Sequence, residues 1–399
     1  MWAVRFSVPA IQIAQKQPFR GKIIRRKTFN CARTHIICVR KHLNMEIGKN
    51  IRIKDIAKLA GVSVGTVDRV LHNRGKVSEY ALKKVTDVMN QIDYKPNLIA
   101  RTLGSNKNYR IAALIPDPTF DPYWAQSKHG ILQAESEWAQ YGVTVDTRSF
   151  DLYNKDSFLR LSREVAEGQP DGIVIAPIFY HESLPAFELF QQRQIPYVLF
   201  NTNIHEAKPL AFIGQDLYQS GKLGAQLMNF GQAESGVFAV LHIDEDVQDS
   251  VHLLEKEQGF KDYFAEKAKD KFKIVEFSMN PHKPSFEGEI ESLMNMESLR
   301  GVFVSTSRGT AVAASYLEKH GKNDIRMIGY DMLVDNLKYL KAGIIDFLIN
   351  QNPKRQALLG VSHLVNHLMF KKSTPGTELF PLEIITHQNV DSYLGSGIH

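Results

Sequence analysis

From Tyr109 onward, short apolar runs recur with amphipathic stretches between them, and this alternation constrains the fold more than any other property of the chain. Arg110–Pro116, Val143–Asp146, Asp171–Pro177 and Pro196–Asn201 read as buried strands, with helices over 123–141, near 156–167 and around 184–193. After residue 232 the rhythm returns in Val237–His242, Lys273–Phe277, Gly301–Ser305 and Arg326–Tyr330. Strands apolar on both faces belong inside a sheet covered on both sides, and intervening helices make the connections parallel. Two runs of four or more such units exceed one sheet of ordinary size. The reading is therefore a two-lobed α/β body over 109–399, with parallel sheets. Lobe 1 takes about 109–231 and 345–372, and lobe 2 about 232–344 and 378–399.

A different period governs residues 50–95. Ile53, Ile56, Ala57 and Ala60 follow helical spacing, which predicts a short helix over 54–60. Gly61 supplies the positive φ of a tight turn, and Ser63 offers a hydroxyl cap to a second helix. There Val67, Val70 and Leu71 form one apolar face and leave Val64, Gly65, Asp68 and part of Arg69 outward. Ser78 caps a third helix striped by Leu82, Val85, Val88, Met89 and Ile92. Two short helices joined by a glycine-containing turn make a helix-turn-helix, so this segment is an all-α head. Tyr94-Lys-Pro-Asn97 and Leu98-Ile-Ala-Arg-Thr-Leu-Gly104 then lead through a polar link to the body, giving a hinge over 96–108.

Charge follows the same division. The 399-residue chain carries +6. Residues 1–44 hold ten Lys/Arg and no acidic residue, 45–107 hold twelve against six, and 108–399 hold 27 against 37. A basic front on an acidic body is the electrostatic footprint of a nucleic-acid-binding head joined to a domain of another kind. The first 44 residues show no sustained period; Met45 reads as the start and the preceding basic stretch as an upstream extension not native to the protein, with a basic DNA-binding arm as the rival reading. No stretch approaches the ~18 uninterrupted apolar residues of a membrane helix. Cys31 and Cys38 match neither a zinc nor a redox spacing.

The head resembles the lactose-repressor (LacI/GalR) family of bacterial transcription regulators. The likeness rests on Ile53-Lys-Asp-Ile-Ala-Lys-Leu-Ala-Gly-Val-Ser63, Thr66-Val67, Arg69-Val70, Val77-Ser78 and the hinge from Tyr94-Lys-Pro-Asn97 to Leu103. It implies a second helix in the major groove, so that Ser63, Val64, Gly65, Thr66, Asp68 and Arg69 face DNA. It further implies a hinge segment that folds as a helix on operator DNA, with Asn97 among the DNA-binding residues, Ala100 letting the two hinge helices of a dimer approach closely, and Leu103 wedged into the minor groove at the dyad. Val64 and Gly65 offer no side-chain hydrogen bond at base-reading positions, and Asp68 stands where a small or basic residue is usual, which points to a distinct operator preference.

The body resembles the same family's effector domain, in the variant nearest to periplasmic ribose- and galactose-type binding proteins. Ligands of open α/β sheets sit beyond the carboxyl ends of the strands. The resemblance puts the ligand against Asp121, Tyr123 and Trp124, with the two rings stacking on a sugar face. It adds Asn201, Thr202, Lys256, Ser307, Asp331 and Gln351, with Asp331 pairing directly with two sugar hydroxyls. Asn201-Thr202 replaces an Asp-Arg pair, Lys256 an Arg, and Thr306-Ser307 an Asn-Asp pair, so fewer fixed charges meet the ligand.

Other constellations carry no chemistry. His363 and His367 stand at zinc-pair spacing, but Leu364 occupies the place of a catalytic glutamate, leaving a plain helix-face pair. Asp244-Glu-Asp246 lacks a calcium-loop ladder and reads as a solvated loop. With neither a Walker-type loop nor a Gly-x-Ser-x-Gly elbow, the reading includes no catalytic residue, no metal site and no cofactor. The expectation is a cytoplasmic, nucleoid-associated, homodimeric DNA-binding regulator of repressor type. It binds a palindromic operator and answers to a sugar or sugar derivative, without a membrane partner. A transporter's solute-binding protein is the rival that the body alone supports, and an enzyme on the same scaffold is a second.

Overall fold

The computed structural model describes residues 52–71, 75–92, 107–245, 250–267, 271–322 and 324–395. The extension 1–44 and the hinge positions Asn97, Ala100 and Leu103 lie outside these residues. The chain divides into two compact units at Pro96.

In the first unit, helices run Ile53–Ala60, Val64–Leu71 and Glu79–Gln91. Gly61 ends the first in the left-handed region (φ 63°). Ser63 Oγ accepts from the Thr66 amide at 3.1 Å, and Ser78 Oγ from the Ala81 amide at 3.4 Å, so each hydroxyl takes an amide that its helix cannot satisfy. Ile56, Ala57, Ala60, Val67 and Val85 close one small core.

The second unit holds two six-stranded sheets. The first contains β1 (Tyr109–Pro116), β2 (Val143–Phe150), β3 (Gly172–Ile175), β4 (Tyr197–Asn201), β5 (Ala211–Gly214) and β11 (Gly376–Leu379), in the order β11-β5-β4-β3-β1-β2. The second contains β6 (Gly236–Ile243), β7 (Phe272–Met279), β8 (Leu299–Val304), β9 (Arg326–Tyr330), β10 (Phe347–Asn350) and β12 (Glu383–Ile385), in the order β12-β10-β9-β8-β6-β7. All pairings are parallel except β10 with β12. The central orders 2-1-3-4-5 and 7-6-8-9-10 are one doubly wound pattern used twice, each with its switch point between the first and third strands of the run.

The lobe boundaries differ from those read in the sequence. The helix Leu217–Asn229 packs on β8, β9, β10 and the helix Val251–Lys267, so the chain leaves the first lobe after β5 rather than near residue 231. Strand β10 pairs with β9 and β12 and belongs to the second lobe, whereas the helix Pro353–Phe370 covers β3, β4 and β5 of the first. The short strand β5, four buried residues, gave the period too little length to register. Three crossings therefore join the lobes, following β5, β10 and β11. Gln215 ties them side by side: its Nε2 donates to Asn350 O (2.9 Å) and to Pro381 O (2.8 Å).

Candidate functional site

The carboxyl ends of both sheets face one cleft. After β1, Asp121 caps the helix Pro122–Trp138 by accepting from the Tyr123 amide at 2.9 Å, and Pro122 fits the first turn because its missing N–H is one the helix could not use. That cap fixes Tyr123 and Trp124 in the first turn, edge to face at 4.9 Å and both buried. At the end of β4, Asn201 takes φ 70°, a conformation asparagine tolerates better than most residues. Its Nδ2 donates to Tyr123 Oη at 2.5 Å and its amide to Gln356 Oε1 at 2.9 Å.

The second lobe presents Lys256, whose Nζ donates to Ser305 O at 2.9 Å and lies 3.7 Å over the Tyr330 ring. Behind it, Asp331 follows β9 at φ 60° and is fully buried. Its carboxylate accepts from Ser307 Oγ, from the Gln351 amide (2.8 Å) and from Gln351 Nε2 (2.7 Å). Asn336 Nδ2 donates to the carbonyls of Ser307, Tyr330 and Asp331, which pins this turn.

Seven of the residues expected to meet the ligand line a single small cavity: Asp121, Tyr123, Trp124, Asn201, Lys256, Ser307 and Gln351. Two do not. Thr202 is buried, its hydroxyl donating to Asn201 Oδ1 at 3.0 Å. Asp331 is fully buried, its carboxylate accepting from Ser307 and Gln351, two residues that do line the cavity. The cavity adds Leu152, Ile178, Glu245, His252, Ser305 and Thr306. His252 Nε2 lies 2.7 Å from Glu245 Oε2 and its Nδ1 is buried without a partner among the described residues. His242 spans Ser305 Oγ (2.7 Å) and Glu257 Oε2 (2.6 Å) and so orients the serine.

The acidic run at Asp244 is consequently no solvated loop. Asp244 is buried and ion-paired with Arg308 at 2.6 Å, and Glu245 is a wall of the cavity. Pairing with the distant Arg308 takes Asp244 out of water, while Glu245, paired with His252 seven residues on, is half-buried; Asp246 lies outside the described residues. The helix-face pair also finds separate partners: His363 Nε2 meets Glu378 at 2.6 Å, while His367 Nδ1 faces Lys372 O at 3.3 Å.

Burial sets the electrostatics. It pushes Asp121 up to about 7, with Glu245 and Asp244 adding and the Tyr123 amide and Arg308 opposing. It pulls Lys256 down to about 8 against the attraction of Asp331 and Glu245. Burial raises Glu245 too, but His252, Lys256 and His242 outweigh it and hold the carboxyl below its ordinary range. Asp121 binds its proton more tightly folded than unfolded, so its contribution to stability is complete below pH ~4 and disappears as pH rises through about 7. Asp121→Asn keeps the capping oxygen and removes the titration. The Tm of the parent should fall relative to this variant between pH 5 and 8; parallel pH profiles would mean the carboxylate is solvated.

On the head, Ser63, Val64, Gly65 and Arg69 are exposed, Thr66 and Asp68 half-buried, and Val67 turned inward. Ser63 Oγ and Thr66 Oγ1 lie 2.9 Å apart at the helix start, where free amides and the helix dipole suit a phosphate.

Comparison with known proteins follows the same division. The profile of the bacterial regulatory proteins of the lacI family matches residues 52–97, and that of the periplasmic binding protein domain residues 111–372. The ribose operon repressor of Halalkalibacterium halodurans is 26% identical over 343 residues, 82% of this chain and 98% of that protein. The sucrose operon repressor of Streptococcus mutans is 24% identical over 348 residues, covering 85% and 99%. Among solved structures, a putative LacI transcriptional regulator from Bacteroides fragilis superposes with a TM-score of 0.67 at 27% identity, covering 72% of this chain and all of that one. A glucose-galactose binding protein from Geobacillus stearothermophilus shares the fold at 19% identity, with a TM-score of 0.63 over 71% of this chain and 99% of its own. The chain belongs to the periplasmic binding protein domain family and carries, in front of that domain, the DNA-binding head of the bacterial lacI regulatory family.

Proposed function

We propose that this regulator is a transcriptional repressor that binds a palindromic operator as a homodimer in the cytoplasm, and that a sugar or sugar derivative controls it from the cleft between the lobes. One observation carries the reading: a helix-turn-helix head precedes, in one chain, a two-lobed cleft whose walls combine Tyr123 and Trp124 with converging polar groups. An apolar ring face against aromatic side chains, with hydroxyls against carboxylate, amide and ammonium, is the chemistry that recognises a pyranose or furanose. The head sets the protein apart from a transporter's solute-binding component, which needs no DNA contact.

The head residues divide by task. Ser63, Thr66 and the helix start hold phosphates and fix the register, while Arg69 reads a guanine through O6 and N7. Val64 and Gly65 contribute contact without hydrogen bonds, and Asp68 accepts from a cytosine amine or steadies Arg69. In the hinge, Leu103 opens a base step from the minor groove, Asn97 contacts DNA, and Ala100 lets two hinge segments meet. Ligand and operator are then linked by a coupling free energy of ~1–3 kcal/mol.

Arg69→Ala should lower operator affinity by about 1–3 kcal/mol and relax the preference at one base pair of each half-site. A uniform loss across sequences, with a shallower salt dependence, would make Arg69 a phosphate contact instead. The proposal as a whole is tested by fluorescence anisotropy of the full chain on selected palindromic duplexes, with a panel of sugars added. Release or tightening by one of them supports it; sequence-independent DNA binding, or sugar turnover by the purified protein, overturns it.

A further inference from the structure

The cleft is held shut by groups outside the cavity wall. Arg308, in the first turn of the helix Ser307–Lys319 on the second lobe, reaches across to the first. Its Nη1 donates to Phe120 O at 2.7 Å and to Tyr153 Oη at 3.0 Å while pairing with Asp244 Oδ2 at 2.6 Å. Tyr153 Oη in turn donates to Asp244 Oδ2 at 2.8 Å. The Tyr153 ring sits edge-on between Phe120 of its own lobe (5.7 Å) and His282 of the other (5.8 Å). Asp244 is buried and held at φ 76° in this arrangement.

The geometry points to an interlobe latch: Arg308 and Asp244 form a charged clasp on the second lobe, and Tyr153 with the Phe120 carbonyl is the catch on the first. The Arg308–Asp244 pair lies within one lobe and survives opening. The bonds from Arg308 to Phe120 O and from Tyr153 to Asp244 cross the gap and exist only when the lobes are closed. Both involve an ionised partner, the stronger kind of hydrogen bond. None of Arg308, Asp244, Tyr153 and Phe120 lines the cavity, so the latch sets the closed fraction without choosing the ligand. Apparent affinity equals intrinsic affinity scaled by that fraction, so the latch fixes the effector concentration at which the regulator responds.

The full-length protein, with Cys31→Ser and Cys38→Ser, is spin-labelled at exposed positions 188 and 318 on opposite lobes through Glu188→Cys and Glu318→Cys, and diluted with unlabelled protein so that a homodimer carries one spin pair. Interlobe distances are then read by double electron–electron resonance, with neither effector nor DNA present. The parent should give one dominant short distance. Arg308→Met should lower the closed-to-open ratio roughly tenfold to a hundredfold, and Tyr153→Phe, which keeps the ring packing, roughly tenfold. The double variant should lose less than the product of the two, because both act through Asp244. Unchanged Tm and circular dichroism identify opening rather than unfolding. Distances unmoved in both single variants, or a parent already spread over long distances, overturn the latch. Because no ligand enters the measurement, that result leaves the sugar-responsive reading untouched.

Discussion

Asp331→Ala should cost the body about 3–5 kcal/mol and remove its response to effector, although Asp331 never touches the cavity. Three losses combine. The Ser307 hydroxyl and both Gln351 donors lose a buried acceptor, and unmade buried bonds cost more than the average made bond gains. Lys256, itself buried, loses the carboxylate that favours its charged form. Alanine must also adopt φ 60°, where aspartate and asparagine are tolerated and other side chains are strained. Asp331→Asn retains the backbone preference and one acceptor but turns an NH2 toward donors, so its cost should be smaller, about 1–3 kcal/mol. Chemical denaturation of the three proteins checks the order. A midpoint shift of less than 1 kcal/mol for Asp331→Ala, at unchanged m-value, would mean that the pocket floor is wet.

Gly221→Ala should also destabilise, less strongly and by a different route. A Cβ on Gly221 would stand 1.9 Å from Lys256 O, and one on Gly259 2.0 Å from Tyr218 O. The helices Leu217–Asn229 and Val251–Lys267 thus touch backbone to backbone, and no flexible side chain is there to yield. Alanine gains ~1 kcal/mol of helix propensity but forces the helices apart, for a net destabilisation of about 1–3 kcal/mol. It also displaces Lys256, whose Nζ rests on Ser305 O, so effector affinity should fall with stability. Gly288→Ala is the control. It lies in the helix Phe286–Met294 with open space around it and should stabilise by ~0.5–1 kcal/mol. Matching gains at 221 and 288 would show that the first contact is looser than its geometry states.

The legible parts of the site were those written locally. Asp121-Pro-Tyr-Trp124 states its own cap and first turn, and Asn201, Ser307 and Gln351 follow apolar runs long enough to mark a strand end. Glu245 and His252 were missed because their roles depend on pairing across a turn: one carboxylate in an acidic run looks solvated until a histidine seven residues on, and a lobe closing over it, partly shield it. Asp331 follows β9 as the sequence implies, but its burial against Ser307 and Gln351 is not written locally, since a strand-end carboxylate looks the same whether it lines a cavity or lies behind one. The lobe boundary moved for a similar reason: the apolar face of Leu217–Asn229 does not say which sheet it covers.

The three crossings laced by Gln215 have a mechanical consequence. Parallel strands laid side by side and tied at one level form a flat leaf spring, compliant to bending across its face and stiff to torsion and shear. Such a mounting favours bending through one opening angle over twist, so strain applied at the cleft is directed mainly into bending. A sensor so mounted has one favoured mechanical coordinate, and whatever reads it at the other end of the spring receives a displacement of one main direction and variable size.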